Sequence, residues 1–155
     1  MKKIAFALLI TFAVAFSFQT KEAQAQCNQK VVYKCATNNG NAIYLRDFNA
    51  KLRKGRKGEP PPVAKFSTVL NKGTHYRFNL CNPRGFEGRA VLKLYDANGY
   101  LGGTYDPVKK VDYKSFDFYC RKTATYYVFI SYKKGYEPKK GCAVGVLSFV
   151  GKHKR

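Results

Sequence analysis

Thr74-His75-Tyr76-Arg77-Phe78-Asn79-Leu80-Cys81 alternates residue by residue, with Tyr76, Phe78 and Leu80 on one side and His75, Arg77 and Asn79 on the other. A side-chain period of two is that of a strand with one face buried and one in water. Asn71-Lys72-Gly73 before this run and Asn82-Pro83-Arg84-Gly85 after it are turn sequences. Ser115–Cys120 repeats the pattern, with Phe116 and Phe118 inward and Asp117 outward.

Outward from these two runs the same alternation of strand and turn continues. Val63–Leu70 reads as a strand, as does Arg89–Tyr95, closed by Asp96-Ala97-Asn98-Gly99. Tyr100–Tyr105 leads into Asp106-Pro107. Lys30–Cys35 and Ala42–Phe48, on either side of Thr37-Asn38-Asn39-Gly40-Asn41, predict an N-terminal hairpin. Thr125–Tyr132 and Cys142–Val150 are apolar on both faces, the mark of strands that are central or covered on both sides. Eight or nine short strands with no helical period predict an all-β fold, a single antiparallel two-sheet β-sandwich. Lys51–Gly58 reads K-L-R-K-G-R-K-G and runs on through Glu59 into three prolines, so residues 51–62 are expected to be an exposed basic loop.

Gly73-Thr74-His75-Tyr76-Arg77-Phe78-Asn79-Leu80, Val91-Leu92-Lys93-Leu94-Tyr95-Asp96-Ala97-Asn98-Gly99 and Thr123-Ala124-Thr125-Tyr126-Tyr127-Val128-Phe129-Ile130 resemble, in order and spacing, the bacterial pre-peptidase C-terminal domain over roughly residues 72–150. The resemblance implies a jelly-roll-like sandwich and, by analogy, an accessory binding or structural role without catalysis.

The N-terminus has the layout of a secretory leader. Met1-Lys2-Lys3 is basic, Ile4–Phe18 is apolar, and Ala23-Gln24-Ala25 is a small-x-small triplet, so cleavage is expected after Ala25. The mature chain, 26–155, is the size of one domain and has no further run apolar enough to span a membrane. A secreted or periplasmic location follows. There Cys27, Cys35, Cys81, Cys120 and Cys142 are expected to form disulfides rather than a metal site. Antiparallel pairing of Thr74–Cys81 with Cys142–Val150 would bring Cys81 to Cys142. That bridge and a local Cys27–Cys35 one are expected, leaving Cys120 over, although spacing alone does not fix the connectivity.

Lys and Arg number 29 against 9 acidic residues, a net charge of +20. A field of that sign draws polyanions and repels cations. Two clusters stand out as an anion-binding site: Lys51, Arg53, Lys54, Arg56 and Lys57, and Lys133, Lys134, Lys139 and Lys140. Tyr95, Tyr100, Tyr105, Tyr113, Tyr119 and Tyr136 are candidate stacking platforms for sugars or bases. Asp96, Asn98 and Asp106 could ligate calcium, but an ordinary Asp-x-Asn-Gly turn explains the first two. The two histidines, His75 and His153, have no catalytic motif around them, and a Cys120–His75 pair is the one nucleophile–base arrangement to consider.

The sequence thus predicts a non-enzymatic binding module, without cofactor or metal, for an anionic envelope or extracellular polymer such as an anionic polysaccharide or lipopolysaccharide. The alternative is a structural or protein-interaction subunit of the cell envelope, joining its partner through a sheet edge or the odd cysteine. A small hydrolase ranks third.

Overall fold

The computed structural model describes Cys27 and residues 29–53, 55–56, 58–83, 90–133 and 140–152. The expected leader lies outside them. A helix α1 (Gln29–Thr37) precedes ten strands: β1 (Ile43–Arg53), β2 (Val63–Leu70), β3 (Thr74–Cys81), β4 (Ala90–Asp96), β5 (Gly99–Gly103), β6 (Tyr105–Asp106), β7 (Val111–Asp112), β8 (Ser115–Cys120), β9 (Ala124–Tyr132) and β10 (Lys140–Lys152). Two antiparallel four-stranded sheets form, in the orders β1-β10-β3-β8 and β2-β9-β4-β5, here called sheets A and B. Their packing, with the chain passing repeatedly from one sheet to the other, gives the jelly-roll sandwich. A two-stranded hairpin, β6–β7, stands apart.

The alternation in the sequence sets which side chains enter the core. Phe48, Leu52, Tyr76, Phe78, Phe116 and Leu147 from sheet A meet Leu70, Leu92, Leu94, Tyr126, Val128 and Ile130 from sheet B. Both runs read as apolar on two faces are central strands, β9 between β2 and β4 and β10 between β1 and β3. Gly145 of β10 faces the interior, where an added Cβ would lie 2.9 Å from Leu92 Cδ1 and 3.0 Å from Ile130 Cδ1. The absent side chain lets the other sheet close in. At the β4–β5 hairpin, Gly99 takes φ 138°. Asp96 Oδ1 accepts the amides of Asn98 and Gly99 at 2.8 and 3.0 Å, so this carboxylate serves its own turn.

The N-terminal hairpin does not form: the segment expected as its first strand is α1. Val31 with Cys35, and Val32 with Ala36, lie four residues apart and so share one helix face. That face packs on Val144 and Val146, the outward side chains of β10. Covering the outside of a central strand outweighs the strand preference of the β-branched pair Val31-Val32. The disulfide pairing differs from expectation for the same reason. Cys142 and Cys81 do sit on neighbouring strands, but each is bridged to the helical segment lying over them, as Cys27–Cys142 and Cys35–Cys81, with Cα separations of 5.7 and 5.8 Å. The helix separates Cys27 from Cys35, so that each reaches the sheet at a different strand, Cys142 on β10 and Cys81 on β3. Cys120 is left over, as expected, buried with its Sγ 3.5 Å from the Tyr126 hydroxyl. Proteolysis without reductant should therefore yield peptides joining Cys27 to Cys142 and Cys35 to Cys81. A thiol reagent should label the chain only after denaturation. A Cys27–Cys35 peptide would contradict this arrangement.

Candidate functional site

Sheet A sets Lys51 and Arg53 of one predicted basic cluster beside the backbone of Lys140 of the other. β1 runs antiparallel to β10 with Lys51 opposite Cys142 and Arg53 opposite Lys140. The segment after Arg53 and the segment before Lys140 therefore leave from adjacent points. Lys51 and Arg53 are not in a loop as expected: buried Leu52 between them extends β1 to Arg53 and points both cations to solvent. Arg56 makes an exposed pair with Glu59 at 3.6 Å. Lys54, Lys57, Lys134 and Lys139 lie outside the described residues.

Lys133 has a different job. Its Nζ is 2.6 Å from Asp112 Oδ1 and 3.7 Å from the centre of the Tyr105 ring, with the side chain only 13% exposed. It ties the end of β9 to the β6–β7 hairpin, on which Asp106 caps its own turn by accepting the amides of Val108 and Lys109. Lys133→Ala should cost about 1 kcal/mol of stability in a urea titration and leave polyanion binding unchanged; weakened binding with unaltered stability would return Lys133 to the site.

The outer face of sheet B is uncovered by any described element and carries the aromatic platform. Tyr127 of β9 is opposite Tyr95 of β4, which is opposite Tyr100 of β5. In the next row Phe129 lies between Lys65 of β2 and Lys93 of β4. Tyr95 contacts both Tyr100 and Phe129, with ring centres 5.5 and 4.8 Å apart, and Lys65 Nζ lies 5.2 Å from the Phe129 centroid. Tyr127 and Tyr100 are 42% and 52% exposed. Partial burial, reinforced by Tyr95 and Asp106, raises the Tyr100 pKa, so its phenol remains a hydrogen-bond donor well above neutral pH. Rings on a pleated surface flanked by ammonium groups can stack on flat apolar faces and pair with anions. Of the tyrosines singled out in the sequence, Tyr95 and Tyr100 belong to this platform. Tyr105, Tyr113 and Tyr119 do not, and Tyr136 lies outside the described residues.

The outer face of sheet A holds His75, but no nucleophile–base pair. Cys120 points into the core from β8, whereas His75 points outward from β3, stacked on Tyr119 with ring centres 4.1 Å apart. His75 Nε2 lies 3.3 Å from Asp117 Oδ2. Arg77 grips the same carboxylate in a fork, Nε to Oδ1 at 2.6 Å and Nη2 to Oδ2 at 2.9 Å. These bonds, Arg77 first, hold the Asp117 pKa below the ordinary carboxylate value. A lowered carboxylate pKa stabilises the fold above its unfolded value and loses that contribution as the pH falls through the folded one. Asp117→Asn should thus cost about 1 kcal/mol at pH 7 and flatten the fall of stability below about pH 4. An unchanged acid limb in denaturation from pH 7 to 2 would show that this group contributes nothing there.

Among the described residues no group of three His, Cys, Asp or Glu side chains could hold a metal, and no helix is long and apolar enough to cross a membrane. No protein-family model matches the chain, and no curated protein matches it in sequence. Solved structures similar to the chain include the following two. One is Aeromonas hydrophila PliG, a periplasmic lysozyme inhibitor of g-type lysozyme, similar at a TM-score of 0.50 and 7% identity over 70% of this chain and 88% of that one. The other is accessory secretory protein 1, 2 and 3 of Streptococcus pneumoniae, at a TM-score of 0.35 and 16% identity over 70% and 84% of the two chains. At these identities the likeness to PliG is one of fold.

Proposed function

We propose that this chain is a non-enzymatic extracytoplasmic binding protein whose ligand is an anionic polysaccharide, held on the outer face of sheet B. The observation that carries the reading is the row Tyr127–Tyr95–Tyr100 beside Phe129 with Lys65 and Lys93 on either side, on a sheet face left open. Rings take the flat faces of sugar residues and lysines take carboxylate or sulfate groups. Arg53 and Lys51, at the end of sheet A, add attraction over a longer range. Two disulfides suit an oxidising compartment, in line with the sequence of the leader. A non-catalytic role fits His75, engaged with Asp117 and Tyr119, and Cys120, turned into the core.

The test is binding of the mature protein to a sulfated glycan, a uronate polymer, lipopolysaccharide, a neutral glycan and DNA at several salt concentrations. Tyr95→Ala with Tyr127→Ala should weaken binding to the preferred glycan about 30-fold, the worth of two contacts of about 1 kcal/mol each. Lys65→Ala with Lys93→Ala should reduce its salt dependence. Equal, salt-abolished binding to every polyanion, untouched by either double substitution, would remove the platform from consideration. A protein partner is the second reading, favoured by the shared fold with PliG, which its structure describes as a lysozyme inhibitor.

A further inference from the structure

Sheet A has a free edge at β1. β1 is an edge strand of eleven residues, bonded to β10 on one side only. Long open edges are templates for another strand, and folded proteins usually blunt them. Here the backbone irregularity is confined to the first half, and the second half is guarded by charge alone. A bulge interrupts the register between Tyr44 and Arg46. Arg46, on the core-facing side, lies 4.9 Å from the Phe48 ring centroid and donates from Nη1 to the Ser67 carbonyl of β2 at 3.3 Å, bridging the two sheets. From Phe48 to Arg53 the strand is regular and its residues pair in unbroken register with β10.

Beside this regular half lies a groove of about 860 Å³ between α1 and the outer side of β1, lined by Cys27, Gln29 and Val32 on one wall and Tyr44, Asp47, Asn49 and Lys51 on the other. Its polar wall is ordered. The Tyr44 hydroxyl donates to Asp47 Oδ1 at 2.6 Å, and Asn49 Nδ2 donates to Asp47 Oδ2. The Asp47 charge is thereby engaged, while Lys51 and Arg53 remain as the outward cations of the open half.

We infer that β1 accepts an acidic, extended polypeptide segment as an added strand along Phe48–Arg53. The added backbone would satisfy the open edge, and alternate side chains would fall on the face that carries Asn49, Lys51 and Arg53, next to the groove. The charge selects the occupant. In a pairing centred on Leu52, a second copy of β1 would set Lys51 against Arg53, and like charges facing each other destabilise a strand pair. A segment with glutamate at alternate positions meets them with opposite charge.

The test uses the full mature chain and acetyl-(Val-Glu)₄-amide, followed by fluorescence anisotropy. Micromolar binding at low salt is expected, weakened tenfold or more by Lys51→Glu with Arg53→Glu. Two further probes carry N-methyl groups on every second amide, one on each alternate set, and keep the same charge. One set should abolish binding and the other leave it nearly intact, because an added strand turns only one set of amides to its neighbour. Equal binding of all three probes would mean charge attraction alone and overturn the inference. So would no binding at all, or a concentration-dependent dimer of the chain without peptide. Tyr95→Ala with Tyr127→Ala should leave peptide binding unchanged, so failure here and failure of the polysaccharide reading are told apart.

Discussion

Replacing Cys35 and Cys81 together by serine should lower the unfolding free energy by about 4 kcal/mol. Cys35–Cys81 closes a separation of 46 residues, and Cys27–Cys142 one of 115. Cross-links of that span remove about 4 and 5 kcal/mol of chain entropy from the unfolded state. Here they also hold a nine-residue helix that is too short to persist alone. Loss of either bridge frees one end of the α1 segment, and loss of both uncovers Val144 and Val146, which this segment covers on the outside of sheet A. Set against the 5–15 kcal/mol of an ordinary domain, full reduction should leave the protein mostly unfolded at 37 °C. Urea titration of the oxidised, serine-substituted and fully reduced chains measures all three. A shift below about 1 kcal/mol for the Cys35–Cys81 variant would show that the helix is held by packing and that the cross-link adds little.

The strands were legible because one physical quantity, alternation, governs them. Val63–Leu70, Thr74–Cys81 and Ser115–Cys120 are strands with the bounds read from the sequence, since each turns alternate apolar side chains toward the core and ends at a turn. The helix was not legible, although its signal was present. Val31, Val32, Cys35 and Ala36 repeat at a spacing of four, but adjacent β-branched residues in a short polar segment also read as a strand. What decides between the two is the buried outside of β10, a tertiary fact. The disulfide map followed the helix. For the site, the cationic segments could be seen, but not the β1–β10 register that sets Arg53 opposite Lys140. Lys133 could not be told from its neighbours, because its partner Asp112 arrives from another hairpin. The platform was half visible. Tyr127 and Phe129 share a parity opposite to that of Tyr126, Val128 and Ile130, so one of the two apolar faces of that run had to be the outer one. Only the sheet order, which leaves that face uncovered, shows that it is open to a ligand.

Phe78→Ala should cost about 3–5 kcal/mol, among the largest losses expected from a single core substitution, and should separate the stability of this fold from its binding. Phe78 is fully buried at the middle of β3, between Leu147 of β10 and Phe116 of β8. Its ring lies nearly parallel to that of Phe116, with centres 5.2 Å apart. Cutting it to alanine removes the ring from a layer in which Leu92, Leu94 and Ile130 are themselves fully buried. β3 is tied on both sides to neighbouring strands, so the sheets cannot close the void by moving one strand. Phe78→Leu, which keeps most of the volume, should cost far less, about 1.5 kcal/mol. Val69→Ala on the solvent face, where Val69 is 64% exposed, should change little. The platform residues project from the opposite side of the other sheet. At temperatures where the Phe78→Ala chain is still folded, its affinity for the preferred polysaccharide should therefore match that of the unaltered protein. Tyr127→Ala should do the reverse, keeping the urea midpoint and losing affinity. If Phe78→Ala weakened binding in proportion to its lost stability, the ligand would be reading the whole sandwich rather than the face of sheet B.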